Sequence, residues 1–332
     1  MATTITSTIK SSGGDYTSLS AWEAAKQSDI VTADQIQQAE CYSMSDTTAV
    51  VIDGWTTDAT RYIKVYTPIS ERHDGKWNTG KYRLDETTGS GIKNNENYVR
   101  IDGIQIKVTR SAGSATGIEL DDVDTGSGGD IRISNCILWG VLTGNYGAAG
   151  IGMYLAAAAP TVYIWNTIVY GWYSATTTNF QGIYTNVGTM YVYNTSVGNC
   201  YQGIRHAGGT MVAKNCYAQG TNAAYVGTIT KTTCASSDTT GSTGLQNIAY
   251  NTNNFTNVTT GSEDLHIPTG SGLKNVGTDT SGDSAPLNFT TDIDGQTRSG
   301  SWDIGADEYV VAGGLSIPIA QYHYQHHIGS GV

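Results

Sequence analysis

The sequence predicts an all-β fold: a single-stranded right-handed parallel β-helix, or solenoid, with a short N-terminal capping helix and a loop-rich C-terminal cap. Three observations carry that prediction. The composition is one of strands and turns, an eight-residue pattern recurs through the middle of the chain, and a Gly-Ile pair recurs between its copies.

The 332 residues include 41 Gly and 21 Tyr but 5 Pro, and charged residues make up 14%, well below the roughly 25% usual in soluble domains. Gly and Asn supply backbone of positive φ, while Thr, Tyr, Val and Ile suit a pleated, half-buried surface. Eighteen basic residues against 29 acidic ones leave a net charge of −11. Phosphate backbones and anionic membrane surfaces repel such a chain, so no nucleic-acid or membrane partner is expected. The opening MATTITSTIKSSGG has no basic region followed by an apolar one, and neither a signal peptide nor a transmembrane segment is expected. Cys41, Cys136, Cys200, Cys216 and Cys234 contain no CxxC pair. They read as small buried hydrophobes rather than zinc or redox ligands, and no cofactor is expected.

The repeat follows from five segments that align without gaps: VRIDGIQI from Val99, IRISNCIL from Ile131, VYIWNTIV from Val162, MYVYNTSV from Met190 and MVAKNCYA from Met211. Positions one, three and six are apolar or small, and the fifth is Gly103, Asn135, Asn166, Asn194 or Asn215. Alternation on either side of that position reads as two short strands joined by a corner. Between the corners fall Gly117-Ile118, Gly150-Ile151, Gly182-Ile183 and Gly203-Ile204. One coil therefore holds a Gly-Ile strand, a turn and a two-strand block. Equivalent residues of successive coils should stack, so Asn166, Asn194 and Asn215 are expected to form an internal amide ladder.

The flanks complete the layout. Residues 1–30 form the N-terminal cap region, in which DYTSLSAWEAAKQ (Asp15 to Gln27) places Leu19, Trp22 and Ala25 or Lys26 on one helical face. Residues 31–310 are the parallel β-helix with its C-terminal cap, and residues 311–332 an apolar docking tail. In that tail Leu315, Ile317, Ile319, Tyr322 and Tyr324 follow a Gly pair and suit docking on another chain. His323, His326 and His327 read as interface residues beside them.

Two stretches, FTNVTTGSEDLHIPTGSGLKNVGTD (Phe255 to Asp279) and DIDGQTRSGSWDIGADEY (Asp292 to Tyr309), resemble the closing segment of right-handed parallel β-helix repeat proteins of bacteria and phages. DYTSLSAWEAA is similar to the N-terminal cap of the same group. The resemblance implies a segment that closes the solenoid before an assembly tail, and it implies little about chemistry. Within it, Asp292 and Asp294 are expected to satisfy backbone amides around Gly295, Arg298 to pair with a later acid, and Asp307 to add a surface acid.

Glycoside hydrolysis needs two carboxylates flanking the bond, yet Ile131 through Ser237 contain neither Asp nor Glu. Any catalytic pair must come from the N-terminal coils or the C-terminal segment. Glu119, Asp121 and Asp122 are the catalytic candidates, and Asp121, Asp122 and Asp124 the candidates for a bound metal ion such as calcium. Arg205-His206 with Lys214 offers a basic spot for an elimination. Trp139, Tyr163, Trp165, Trp172, Tyr191 and Tyr193 are candidate contact residues for a glycan or a neighbouring subunit.

The resulting expectation is a non-enzymatic structural or adhesion protein of a phage-like particle: a spike, fibre or capsid-decorating protein assembled in the host cytoplasm. Its partners would be copies of itself, a trimer favoured, other virion proteins and a glycan. The alternatives are a tailspike-like polysaccharide depolymerase, hydrolase or lyase, and a carbohydrate-binding surface β-helix.

Overall fold

A computed structural model describes residues 2–121, 129–144, 147–154, 160–175 and 179–310. Among the described residues are 22 strands and one α-helix, and every pairing between named strands is parallel. A first sheet of nine strands begins at Thr3–Ile9 and ends at Thr230–Thr232. A second sheet has two arms, one through Gln105–Arg110, Ile137–Leu142 and Ile168–Tyr170, the other through Ala115–Leu120, Ala148–Met153 and Phe180–Thr185. The arms meet in Ser196–His206, whose first residues pair with Ile168–Tyr170 and whose last pair with Phe180–Thr185. Parallel sheets so strongly curled, each strand paired to its counterpart one coil on, are consistent with a solenoid.

The repeat explains the register. Ala39, Val65, Ile101, Ile133, Ile164, Val192 and Ala213 pair one after another across the first sheet, and all are fully buried. Ile118, Ile151, Ile183 and Ile204 of the Gly-Ile pairs form a second buried column. Slipping any strand by one residue would turn its apolar set outward, which pins the register. At the corners Gly103, Asn135, Asn166, Asn194 and Asn215 have φ between 42° and 73°, the left-handed region that Gly and Asn tolerate best.

The amide ladder is broken into pairs. Asn166 Nδ2 donates to Asn135 Oδ1 at 3.3 Å and Asn215 Nδ2 to Asn194 Oδ1 at 3.2 Å. Between the two pairs, the Arg298 guanidinium donates to Asn166 Oδ1, because the C-terminal segment reaches this corner.

That segment is the main departure from expectation. From Phe255 onward it lies against the outer side of the first arm, where Phe255, Leu265, Leu273, Ile293 and Ile304 pack with Ile137, Ile168, Tyr170 and Tyr217 into a second apolar cluster. It runs along the flank instead of only closing an end. The physical reason lies in the seventh position of the repeat, where Ile137 and Ile168 face outward and need a cover.

The helix is Leu19–Lys26, shorter than Asp15 to Gln27. Asp15 accepts a hydrogen bond from the Thr8 amide, and Ser18 caps the first turn through Ala21 N–H. Leu19 and Trp22 are buried as expected, but Glu23 rather than Ala25 completes the inner face. Its carboxylate accepts from Asp53 N–H and Trp55 Nε1–H. All five cysteines are buried and none forms a disulfide.

Candidate functional site

The outer side of the first sheet carries two adjacent columns set by strand register. One runs Lys64, Arg100, Arg132, Tyr163, Tyr191; the other runs Tyr66, Asp102, Ser134, Trp165, Tyr193. In-register pairing stacks equivalent positions of successive coils, so the first column changes from cations to rings midway. The Tyr163 and Tyr191 rings stack with centroids 5.3 Å apart and planes 8° apart, and Tyr193 meets Tyr191 edge-on.

Two cavities open where cations give way to rings. The smaller, of 280 Å³, is lined by Tyr62, Lys64, Arg100, Arg132, Ser134 and Trp165 among others. Phe289 of the C-terminal segment stacks on Trp165 with planes 15° apart and holds that ring in place. Arg100 and Arg132 both reach Asp130, and the Arg100 guanidinium lies 5.1 Å from the Tyr62 ring centroid. Burial lowers the pKa of Arg100 to about 10, which keeps it charged at neutral pH. Lys64 lies 4.2 Å over the Tyr66 ring, and among the described residues it forms no ion pair.

The larger cavity, of 660 Å³, shares Lys64 and Asp102 with the first and extends to Arg72, His73, Asp292 and Asp294. It thus joins the N-terminal coils to the C-terminal segment, the two regions that hold the chain's carboxylates. Both Asp102 and Asp292 are held by hydrogen bonds. Asp102 accepts from Arg72, Ser134 and Asn135, and Asp292 accepts from the amides of Asp294, Gln296 and Glu308. His73 Nε2–H donates to the Asn135 carbonyl, and burial pushes its pKa down to about 4, so the ring is neutral.

The structure distributes the sequence candidates unevenly. Tyr163, Trp165, Tyr191 and Tyr193 share the face just described. Trp172 does not: it is fully buried in the interior, in space left by Gly117, Gly140 and Gly150. Gly171, at φ 77°, breaks the alternation and turns the next side chain inward. Trp139 sits on the first arm of the second sheet, half covered by Trp77. Glu119 and Asp121 lie on the second arm, side by side, and both pair with Lys93. Both also line a cavity of 390 Å³ together with Tyr154 and Tyr184. Asp122 and Asp124 lie outside the described residues, as do Leu315, Ile317, Ile319, Tyr322 and Tyr324. The basic spot is not assembled: Arg205 stands over Tyr184 on the second arm, whereas Lys214 pairs with Asp283 beside the first sheet.

A second polar cluster was not legible in the sequence. His266 bridges Asp264, through Nδ1, and Asp294, through Nε2 at 2.9 Å. Burial disfavours the charged ring, but hydrogen bonds to these two carboxylates outweigh it and lift the pKa to about 11. Asp307, expected at the surface, is 3% exposed and accepts from Ile267 N–H. Burial raises its pKa to about 7 against the pull of His266. Asp294 lies 28 residues from His266, and no local pattern announces the contact. Arg298 pairs with Glu308 as expected and is wholly buried.

No family model, no curated protein and no solved structure matches this chain.

Proposed function

We propose that the protein is a non-enzymatic adhesion module, a right-handed parallel β-helix capped by its N-terminal helix, that binds an acidic glycan on the outer side of its first sheet. The observation that carries this reading is the 280 Å³ cavity, where Lys64, Arg100 and Arg132 converge beside Tyr62 and Trp165. Planar rings offer an apolar face to a sugar ring, and guanidinium and ammonium groups offer charge-assisted hydrogen bonds to a uronate or similar carboxylate. Arg100 and Arg132 share the one carboxylate of Asp130, Asp102 pairs with Arg72, and Lys64 forms no ion pair among the described residues, so the recess keeps positive charge for an anionic ligand. The volume lies near the low end of the ~300–1,000 Å³ usual for ligand sites, enough for one or two sugar units.

The setting in a phage-like particle, as a spike, fibre or decorating protein, rests on the resemblance of the terminal segments. Assembly into a trimer through the tail belongs to the same proposal. Binding without cleavage is favoured because Asp102, the carboxylate that lines this cavity, accepts from Arg72, Ser134 and Asn135.

Titration calorimetry of the full chain against acidic polysaccharides (polygalacturonate, hyaluronan, alginate) and against neutral glucans tests the reading. Binding confined to acidic chains, lost in Arg132→Ala and Trp165→Ala, supports it. Equal binding to neutral glucans, or no binding to any acidic chain, refutes it, and release of shortened oligosaccharides would establish the depolymerase instead.

A further inference from the structure

The cluster around His266 gathers three carboxylates, one of them buried and two partly buried, around one imidazole. Asp264 and Asp294 both contact the imidazole, and Asp307 stands close by. One imidazole can offset one of these three carboxylates; beyond it, Lys76 is 3.7 Å from Asp264 and half exposed, and Arg298 is committed to Asn166, Glu308 and backbone carbonyls. One oxygen of Asp294 is buried without a hydrogen-bond partner, an arrangement that is costly unless a positive group completes it.

Geometry indicates which group would fit. One ligand atom each from His266, Asp294 and Asp307 lie within 4.8 Å of one another. Around a tetrahedral zinc with bonds of about 2.0–2.1 Å, such atoms stand about 3.3 Å apart, so small side-chain movements suffice. Gly75 keeps the necessary space open: a Cβ there would sit 2.3 Å from Asp294 Oδ1 and 2.6 Å from His266 Nε2. Asp264 on Nδ1 is the outer carboxylate that fixes the tautomer of a ligating imidazole and leaves Nε2 for the metal. Calcium is disfavoured because it takes six to eight oxygen ligands, whereas one imidazole with two carboxylates suits zinc.

We propose that His266, Asp294 and Asp307 hold one zinc-class divalent cation, oriented from behind by Asp264, which pins the C-terminal segment near Gly75. This inference is independent of the glycan reading, since neither binding partner is needed for the other.

The test uses the full chain stripped with a chelator, with His323, His326 and His327 changed to Gln so that the tail cannot supply ligands. Titration with zinc chloride alone should show one site per chain, and cobalt substitution should give visible d–d absorption. Asp307→Asn and Asp294→Asn, made separately, should each weaken binding at least tenfold. A zinc-dependent rise in Tm should occur in the parent chain and vanish in both variants, which separates loss of the site from loss of the fold. Calcium chloride should give neither signal. Zinc binding that survives both substitutions unchanged, or that disappears once the tail histidines are replaced, would overturn the proposal.

Discussion

Arg298 donates a hydrogen bond to the side-chain oxygen of Asn166, 3.3 Å away and 132 residues earlier in the chain. The same guanidinium donates to the carbonyls of Gly305 and Ala306 and pairs with Glu308. A fully buried cation thus joins the corner of a coil to the segment that covers it.

Because both terminal nitrogens of that group donate to buried acceptors, Arg298→Met should destabilise the protein by about 3–5 kcal/mol, the usual cost of breaking one partner of a buried pair. Arg298→Lys should not restore it, since a point charge cannot reproduce the planar fork. Denaturant unfolding measures the loss, and proteolysis should begin between residues 255 and 309.

Asn194 combines a φ of 42° with an accepted hydrogen bond from Asn215. Asn194→Gly keeps the conformation and loses the bond, while Asn194→Ala loses both. The alanine variant should therefore be less stable than the glycine variant by about 1–2 kcal/mol, the strain of a left-handed alanine. Equal melting temperatures would contradict the corner assignment.

Trp172 fills the interior and Trp165 lines the cavity. Trp172→Ala should cost about 3–5 kcal/mol and leave glycan affinity in the folded fraction unchanged. Trp165→Ala should do the reverse, with little loss of Tm and a fall in affinity. A shared loss of both properties would mean that the face and the interior are not separable.

Glu86 is buried and accepts from the amides of Thr87 and Gly89 and from the amide and hydroxyl of Thr88. Burial raises its pKa, but these hydrogen bonds outweigh it and hold it below the usual glutamate range. A depressed folded-state pKa contributes stability above the unfolded value of about 4.3 and loses it as pH falls through the folded one. Glu86→Gln should therefore melt below the parent at pH 7, and the gap should narrow below about pH 4.

Glycan binding through Lys64 and Arg132 should weaken as salt rises, and Lys64→Ala should lower affinity about tenfold or more, the worth of a hydrogen bond to a charged group. Salt-independent affinity would indicate contact through the rings alone.

The coils were legible in the sequence. Alternation around Gly103, Asn135, Asn166, Asn194 and Asn215, and the Ile that follows each Gly of the Gly-Ile pairs, encode burial and register locally. The pairing of Tyr163 with Tyr191 and Trp165 with Tyr193 follows directly, because in-register parallel strands turn sequence period into spatial neighbourhood. What alternation could not show was which outward residues would be covered. Ile137, Ile168 and Tyr170 are outward by period yet buried by the C-terminal segment, while Trp172 is turned inward by a single glycine of positive φ. The His266 cluster and the joining of Asp102 to Asp294 around one cavity arise from chain return over long sequence separations. Periodicity specifies neighbours one coil away; the path of an irregular segment is decided by which apolar and charged groups it can bury against the finished coils, and only the tertiary structure settles that.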